Sequence, residues 1–153
     1  MKKLLTILVL LIMPLCMSGQ QSKQKNPLPL AKYNDNVNMP LTHTEREQII
    51  EVYGEYADKY VFSDPHRLKS IKHILRNRVE IKLISNEKNK KACTKLSEVS
   101  VFDGFVSDLE RDKTFNPDNF NPLKYNFEFH SRAAAMYQVD NTNYYIIIKS
   151  QYQ

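Results

Sequence analysis

Lys124-Tyr-Asn-Phe-Glu-Phe-His130 and Met136-Tyr-Gln-Val-Asp-Asn-Thr-Asn-Tyr-Tyr-Ile-Ile-Ile-Lys149 decide the fold. Aromatic and β-branched residues crowd both stretches, and Asp140-Asn-Thr-Asn143 separates two apolar runs. That is the pattern of a β-hairpin with a four-residue loop. Read as a strand, the first stretch puts Tyr125, Phe127 and Phe129 on one face and Asn126, Glu128 and His130 on the other. In the last strand Tyr144, Ile146 and Ile148 alternate with Tyr145 and Ile147, so both faces are apolar as far as Lys149. Such a strand is central in its sheet or covered by helices.

Working back from this core, two helices are expected. Thr44 with Glu47, or Thr42 with Glu45, forms a capping box that opens the first. Ile49, Tyr53, Tyr56 and Tyr60 follow at helical spacing, broadened by Ile50, Ala57 and Val61, and the helix is expected to run through Gly54. Asp64-Pro65 opens the second, with Asp as N-cap and Pro pre-organised for the first helical position. Leu68, Ile71 and Leu75 line its apolar face. Val79, Ile81 and Leu83 then alternate with Glu80 and Lys82 as a half-buried strand, and Leu96 to Phe102 reads as another. Residues 103–122 are irregular, broken at Asn116-Pro117 and Asn121-Pro122, with Phe115 and Phe120 expected to pin them to the domain. Helices first and strands later give an α+β fold: two N-terminal helices packed on an antiparallel β-sheet ending in a C-terminal hairpin.

The other end of the chain reads as a targeting segment. Lys2 and Lys3 precede an apolar run from Leu4 to Leu15, which is too short to span a bilayer. Met17-Ser18-Gly19 offers small residues for cleavage. Residues 1–19 are therefore expected to be a signal peptide, 20–41 a flexible Pro-containing tether, and 42–153 a single domain. Met13-Pro14-Leu15 lacks the small residue that a lipoprotein signal places before its cysteine, which argues against lipid attachment at Cys16. Cleavage after Gly19 leaves Cys93 as a lone cysteine, so no internal disulfide is expected.

The 153 residues hold only three glycines, Gly19, Gly54 and Gly104. They are too scattered to cradle a phosphate, which excludes the nucleotide-binding fingerprints. No serine sits on a tight glycine elbow, so nucleophilic catalysis of that kind has no support. The alternating Asp108, Glu110 and Asp112 lack the glycine that a calcium loop needs. His66 and His73 share one side of the second helix, opposite its apolar face, and are expected near solvent. Neither they nor His43 and His130 have metal-ligand spacing, so no metal and no cofactor is expected.

Charge segregates along the chain. Residues 42–64 carry a net −4, residues 66–95 a net +8, and residues 96–128 a net −4. Lys69, Lys72 and Arg76 form a basic row on the second helix, with Arg67 and Arg78 nearby. This row is the candidate ligand-binding face for an anionic partner, an envelope protein or a lipid headgroup. The opposing reading has the acidic and basic helices lying side by side and offsetting each other. Tyr137, Tyr144, Tyr145 and Tyr152 offer a second candidate surface.

At Asn119-Phe-Asn-Pro-Leu-Lys-Tyr125 and Val139-Asp-Asn-Thr-Asn-Tyr-Tyr-Ile-Ile-Ile148, behind a leader ending in Ser-Gly-Gln, the chain resembles small uncharacterised exported proteins of the Bacteroidota. The resemblance implies export from a Gram-negative cell, to the periplasm or beyond, and no activity. The expected function is a non-enzymatic exported binding or interaction domain with no nucleic-acid partner and no transmembrane span after cleavage. The alternative is a small periplasmic hydrolase with a dispersed site, using His130 or Cys93 in a concave pocket.

Overall fold

The computed structural model describes residues 32–85 and 92–152. The expected signal peptide, the tether as far as residue 31 and residues 86–91 lie outside the described residues. Within them, helix α1 spans His43–Tyr53 and α2 spans Pro65–His73. Four strands follow: β1 Val79–Leu83, β2 Thr94–Lys95, β3 Ala135–Gln138 and β4 Tyr144–Ile148. They form one sheet in the order β1-β4-β3-β2, so the chain is a mixture of helix and sheet.

Both helices start where their caps dictate. Of the two capping boxes, Thr42 with Glu45 is the one formed: Glu45 N–H donates to Thr42 Oγ1 at 3.1 Å and Thr42 N–H to Glu45 Oε2 at 2.8 Å. At α2 the Asp64 carboxylate accepts from the N–H groups of His66 and Arg67, and Pro65 occupies the first turn. Gly54, expected inside a continuous helix, ends α1. It adopts φ +53, and a Cβ there would lie 3.0 Å from Val106 Cγ2. A 3-10 turn (Gly54–Tyr56) and a π-helical turn (Asp58–Phe62) carry the chain on to α2. This break rotates the expected stripe. Ile49, Val52, Tyr53, Ala57 and Val61 are buried, whereas Ile50, Tyr56 and Tyr60 are exposed.

β4 is central, as its two apolar faces require. It pairs antiparallel with β1 (Val79↔Ile148, Ile81↔Ile146) and with β3 (Ala135↔Ile148, Tyr137↔Ile146). The hairpin closes through Val139 N–H to Tyr144 O at 3.0 Å, leaving 140–143 as its four-residue loop with Asn141 at φ 56. The sheet is not wholly antiparallel, because β2 runs parallel to β3. The long connection between them permits that direction. Residues 96–102, expected as a strand, hold a 3-10 turn at Leu96–Glu98 and a single bridge from Val101 to Tyr125.

The stretch 124–130 keeps the alternation expected of it but is not a strand. Tyr125 and Phe127 are buried and Phe129 half-buried, while Asn126, Glu128 and His130 are exposed. Its backbone instead turns on itself, with Phe127 N–H donating to Tyr125 O (2.8 Å) and Phe129 N–H to Phe127 O (2.7 Å). These i to i+2 bonds are successive γ-turns, and the bridge at Tyr125 ties the ribbon to residues 100–102 through Phe102 N–H to Lys124 O at 2.8 Å and Asn126 N–H to Ser100 O at 2.9 Å.

Two apolar clusters result. Leu96, Val99, Phe120, Tyr125, Phe127, Tyr137, Val139, Ile146 and Ile148 form the sheet-side cluster. Ile49, Val52, Tyr53, Ala57, Val61, Ile71, Ile74 and Leu123 form the helix-side one. The segment 120–129 contributes to both, so it lies between the helices and the sheet. Asn121 fastens it to α1 by donating to Gln48 O and Glu51 Oε2, both at 2.9 Å. Buried Lys124 bonds Asp112 at 2.6 Å and Glu51 at 2.9 Å. Burial works to lower the Lys124 ammonium, and these two carboxylates more than reverse that, leaving it above its ordinary range.

Candidate ligand-binding cleft

The basic row of α2 lies against the chain's own N-terminal segment. Lys72, buried, donates from Nζ to Met39 O (2.7 Å) and Val37 O (3.3 Å). Arg76 grips the Glu45 carboxylate with two bonds, Nε to Oε1 at 2.5 Å and Nη2 to Oε2 at 2.6 Å. It also donates to the carbonyls of Asn36, Met39 and Pro40. Lys69 is exposed, its Nζ 5.9 Å from the Tyr33 ring centroid. The three candidate residues are thus on one helix face, but two of them hold residues 36–40 and only Lys69 is presented to solvent.

Residues 33–40, assigned from sequence to the flexible tether, consequently form a strap over α2. Val37 is 2% exposed within the 3-10 turn Asp35–Asn38. Asn34 and Asn36 donate to the Asn77 side chain at 3.0 and 2.8 Å. Tyr33 lies on the His73 ring, with centroids 4.4 Å apart. His66 is exposed as expected, but His73 is buried because the strap covers it. Burial, then the Arg78 charge, pushes the His73 imidazole below its usual value. The Glu45 carboxyl is also held below its usual range, here by the paired hydrogen bonds from Arg76. Among the described residues no group of three His, Cys, Asp or Glu side chains could hold a metal ion.

A concave feature lined largely by aromatic and aliphatic side chains opens on the far side of α2. It is a cleft of about 570 Å³ walled by Tyr53 at the end of α1, by α2, by Phe102 and by residues 123–130. From α2 it takes Arg67, Ser70 and Ile71, and from the π-helical turn Ile74–Arg78 that continues the helix it takes Ile74; spaced i, i+3, i+4 and i+7, the four form one stripe. From the γ-turn ribbon it takes the rings of Tyr125, Phe127 and Phe129, with Asn126 and His130 at the margin. The period-two alternation of one wall and the helical stripe of the other therefore meet face to face.

Most polar groups on this lining are occupied elsewhere. The Tyr125 hydroxyl donates to Asp112 Oδ2 at 3.1 Å, so only its ring faces the cleft, and burial pushes that phenol up. The Asn126 amide donates to Ser100 Oγ and Val101 O. Arg67, Ser70 and His130 remain at the margin. The Arg67 guanidinium lies 5.6 Å from the Tyr53 ring centroid and pairs with no carboxylate among the described residues.

His130 was a sequence candidate and is on the cleft. Arg67 was named only as an accessory of the basic row, on another face. Ser70 was not named; its sequence signal is the shared stripe with Arg67, Ile71 and Ile74. Cys93 does not line the cleft, and burial raises its thiol above the ordinary value, which opposes thiolate formation. Asp112 is taken up by Lys124 and the Tyr125 hydroxyl, while Phe115 packs on Phe120 and Tyr144 at 5.3 and 5.4 Å, pinning the acidic loop as expected. Among the described residues no helix is long and apolar enough to cross a membrane. Comparison with protein-family models, curated proteins and solved structures finds no match.

Proposed function

We propose that the protein is an exported, non-enzymatic binding domain, and that its ligand occupies the cleft between α2 and residues 123–130. The observation that carries this reading is the cleft itself. Its volume is within the roughly 300–1,000 Å³ typical of small-molecule sites, and its wall is mainly aromatic and aliphatic with a few polar groups at the margin. The leader-like residues 1–19 support export, and their charge and length support removal at the membrane rather than retention as a span. An envelope protein or anionic ligand captured by Lys69, Lys72 and Arg76 is a weaker version of the same proposal. It would have to displace the carbonyls and the Glu45 carboxylate that hold Lys72 and Arg76.

The test is to produce the full chain in a Gram-negative host and recover it from the periplasm. Ligands carried with the folded protein are then extracted and identified by mass spectrometry. A Ser70→Phe variant, placing a ring in the cleft, should lose them while keeping its circular dichroism spectrum. Recovery of the chain in the cytoplasm with an intact N-terminus would overturn export. Equal ligand content in the two proteins would overturn the cleft.

A further inference from the structure

Resting on the cleft being a binding site, we infer that it takes a single-chain amphiphile bearing one carboxylate, with the apolar chain on the aromatic wall and the carboxylate at Arg67. Two independent features of the cleft set the two halves of that ligand. The interior is formed by Ile71, Ile74, Leu123 and the rings of Phe102, Phe127 and Phe129, which offer dispersion contact and no hydrogen-bond partner. A polar or sugar-like body would lose its water there without replacement. The margin is cationic: Arg67 presents a permanently charged planar fork suited to two parallel bonds with a carboxylate, and Ser70, one turn further along α2, adds a hydroxyl donor.

Charge count separates a carboxylate from a phosphate monoester. The lining holds one permanent positive charge, that of Arg67, and one imidazole, that of His130. A monoanion matches that single charge. A dianion would bring a second negative charge for which the lining has no second permanent cation, so the phosphate gains less from the site for the water its head group gives up. Arg67 is also held ready before any ligand arrives. Its backbone N–H is fixed by the Asp64 cap at 3.1 Å, and its guanidinium lies over Tyr53. Preorganisation of this kind removes part of the ordering cost of binding.

Isothermal titration calorimetry of the full chain with dodecanoate, dodecanol and dodecyl phosphate, the two anions kept below their micellar concentrations and the alcohol below its solubility limit, tests the assignment. Saturable one-to-one binding of dodecanoate is expected, with the alcohol and the phosphate ester each weaker by roughly tenfold or more, the size of a lost charge-assisted bond. Arg67→Gln should bring dodecanoate down to the level of the alcohol and leave the alcohol unchanged. Arg67 is exposed, so this variant is expected to fold, and its circular dichroism spectrum checks that. Equal binding of dodecanoate and dodecanol, both lost in Ser70→Phe, would overturn the carboxylate and leave the cleft as a site for apolar ligands. Preference for the phosphate ester would overturn the monoanion argument. Failure of all three to bind the folded chain would overturn both readings.

Discussion

Gly54 occupies a backbone position that other residues reach only under strain, at φ +53 with ψ −134 and with Val106 Cγ2 3.0 Å from where a Cβ would sit. Gly54→Ala is therefore expected to lower stability by about 1–3 kcal/mol, read from the urea midpoint at an unchanged slope. Its sequence environment gave no hint of this, because a lone glycine inside a helical stripe is compatible with a helix. His73 makes a different prediction. Its imidazole is held below the ordinary value near 6.5, so the unfolded chain takes up the proton first. Stability attributable to His73 is full above pH 6.5 and falls as the pH drops through that value, levelling off below the folded-state pKa. Glu45 acts in a lower window: its carboxyl is also depressed, so its contribution is present above the ordinary value of 4.5 and is lost as the pH falls through the folded one. Denaturation midpoints between pH 8 and 5 should thus decline in the wild type and decline less in His73→Phe.

At the scale of elements, the strap is held by side chains reaching for backbone carbonyls. Lys72 and Arg76 between them bind the carbonyls of Asn36, Val37, Met39 and Pro40. Every sequence carries carbonyls, which is why a Pro-containing polar segment whose apolar residues show no periodicity reads as a tether. The basic row was legible as a row; what it faces was not. Arg76→Gln removes one partner of a pair in which both side chains are nearly buried, at 13% and 12% exposure. A loss of about 3 kcal/mol or more is expected, together with faster hydrogen exchange at the Val37 and Met39 amides, which bond Asn34 O and Asn36 O within the strap. Unchanged exchange there would mean that the strap is held without Arg76. The ribbon 124–130 teaches the complementary lesson. Parity of Tyr125, Phe127 and Phe129 was readable because it depends on side-chain chemistry, whereas γ-turns and ladders differ in backbone dihedrals and in which carbonyl each N–H finds, neither of which the side-chain alternation specifies. The hairpin and both helix starts were readable because caps and loop residues name their own backbone geometry.

For the whole molecule, the interposed segment 120–129 makes one cooperative body of two apolar clusters. Leu123 packs with the helices, and Phe120, Tyr125 and Phe127 pack with the sheet, within a few residues of each other. Leu123→Ala is expected to cost about 2–5 kcal/mol. It should shift the urea transitions of helical circular dichroism and of tyrosine fluorescence by the same amount, and two separated transitions would show that the clusters unfold independently. The cleft was the least legible part of the chain. Its walls come from α2 and from a ribbon more than fifty residues away, and only the tertiary arrangement sets Arg67 and His130 on one margin. His130 could be nominated from its residue type, whereas Ser70 carries only its place in the stripe with Arg67, Ile71 and Ile74, which gains meaning once the ribbon is seen opposite it. The order of the sheet has a further meaning in time. β4 is the last of the described strands to be synthesised, yet β1 and β3 bond it directly and β2 reaches the sheet only through β3. At about 5–20 residues per second, β1 waits several seconds after its synthesis for the strand that pairs with it. For that interval β1 has no partner strand, so the sheet closes only once the last of the described strands has been made.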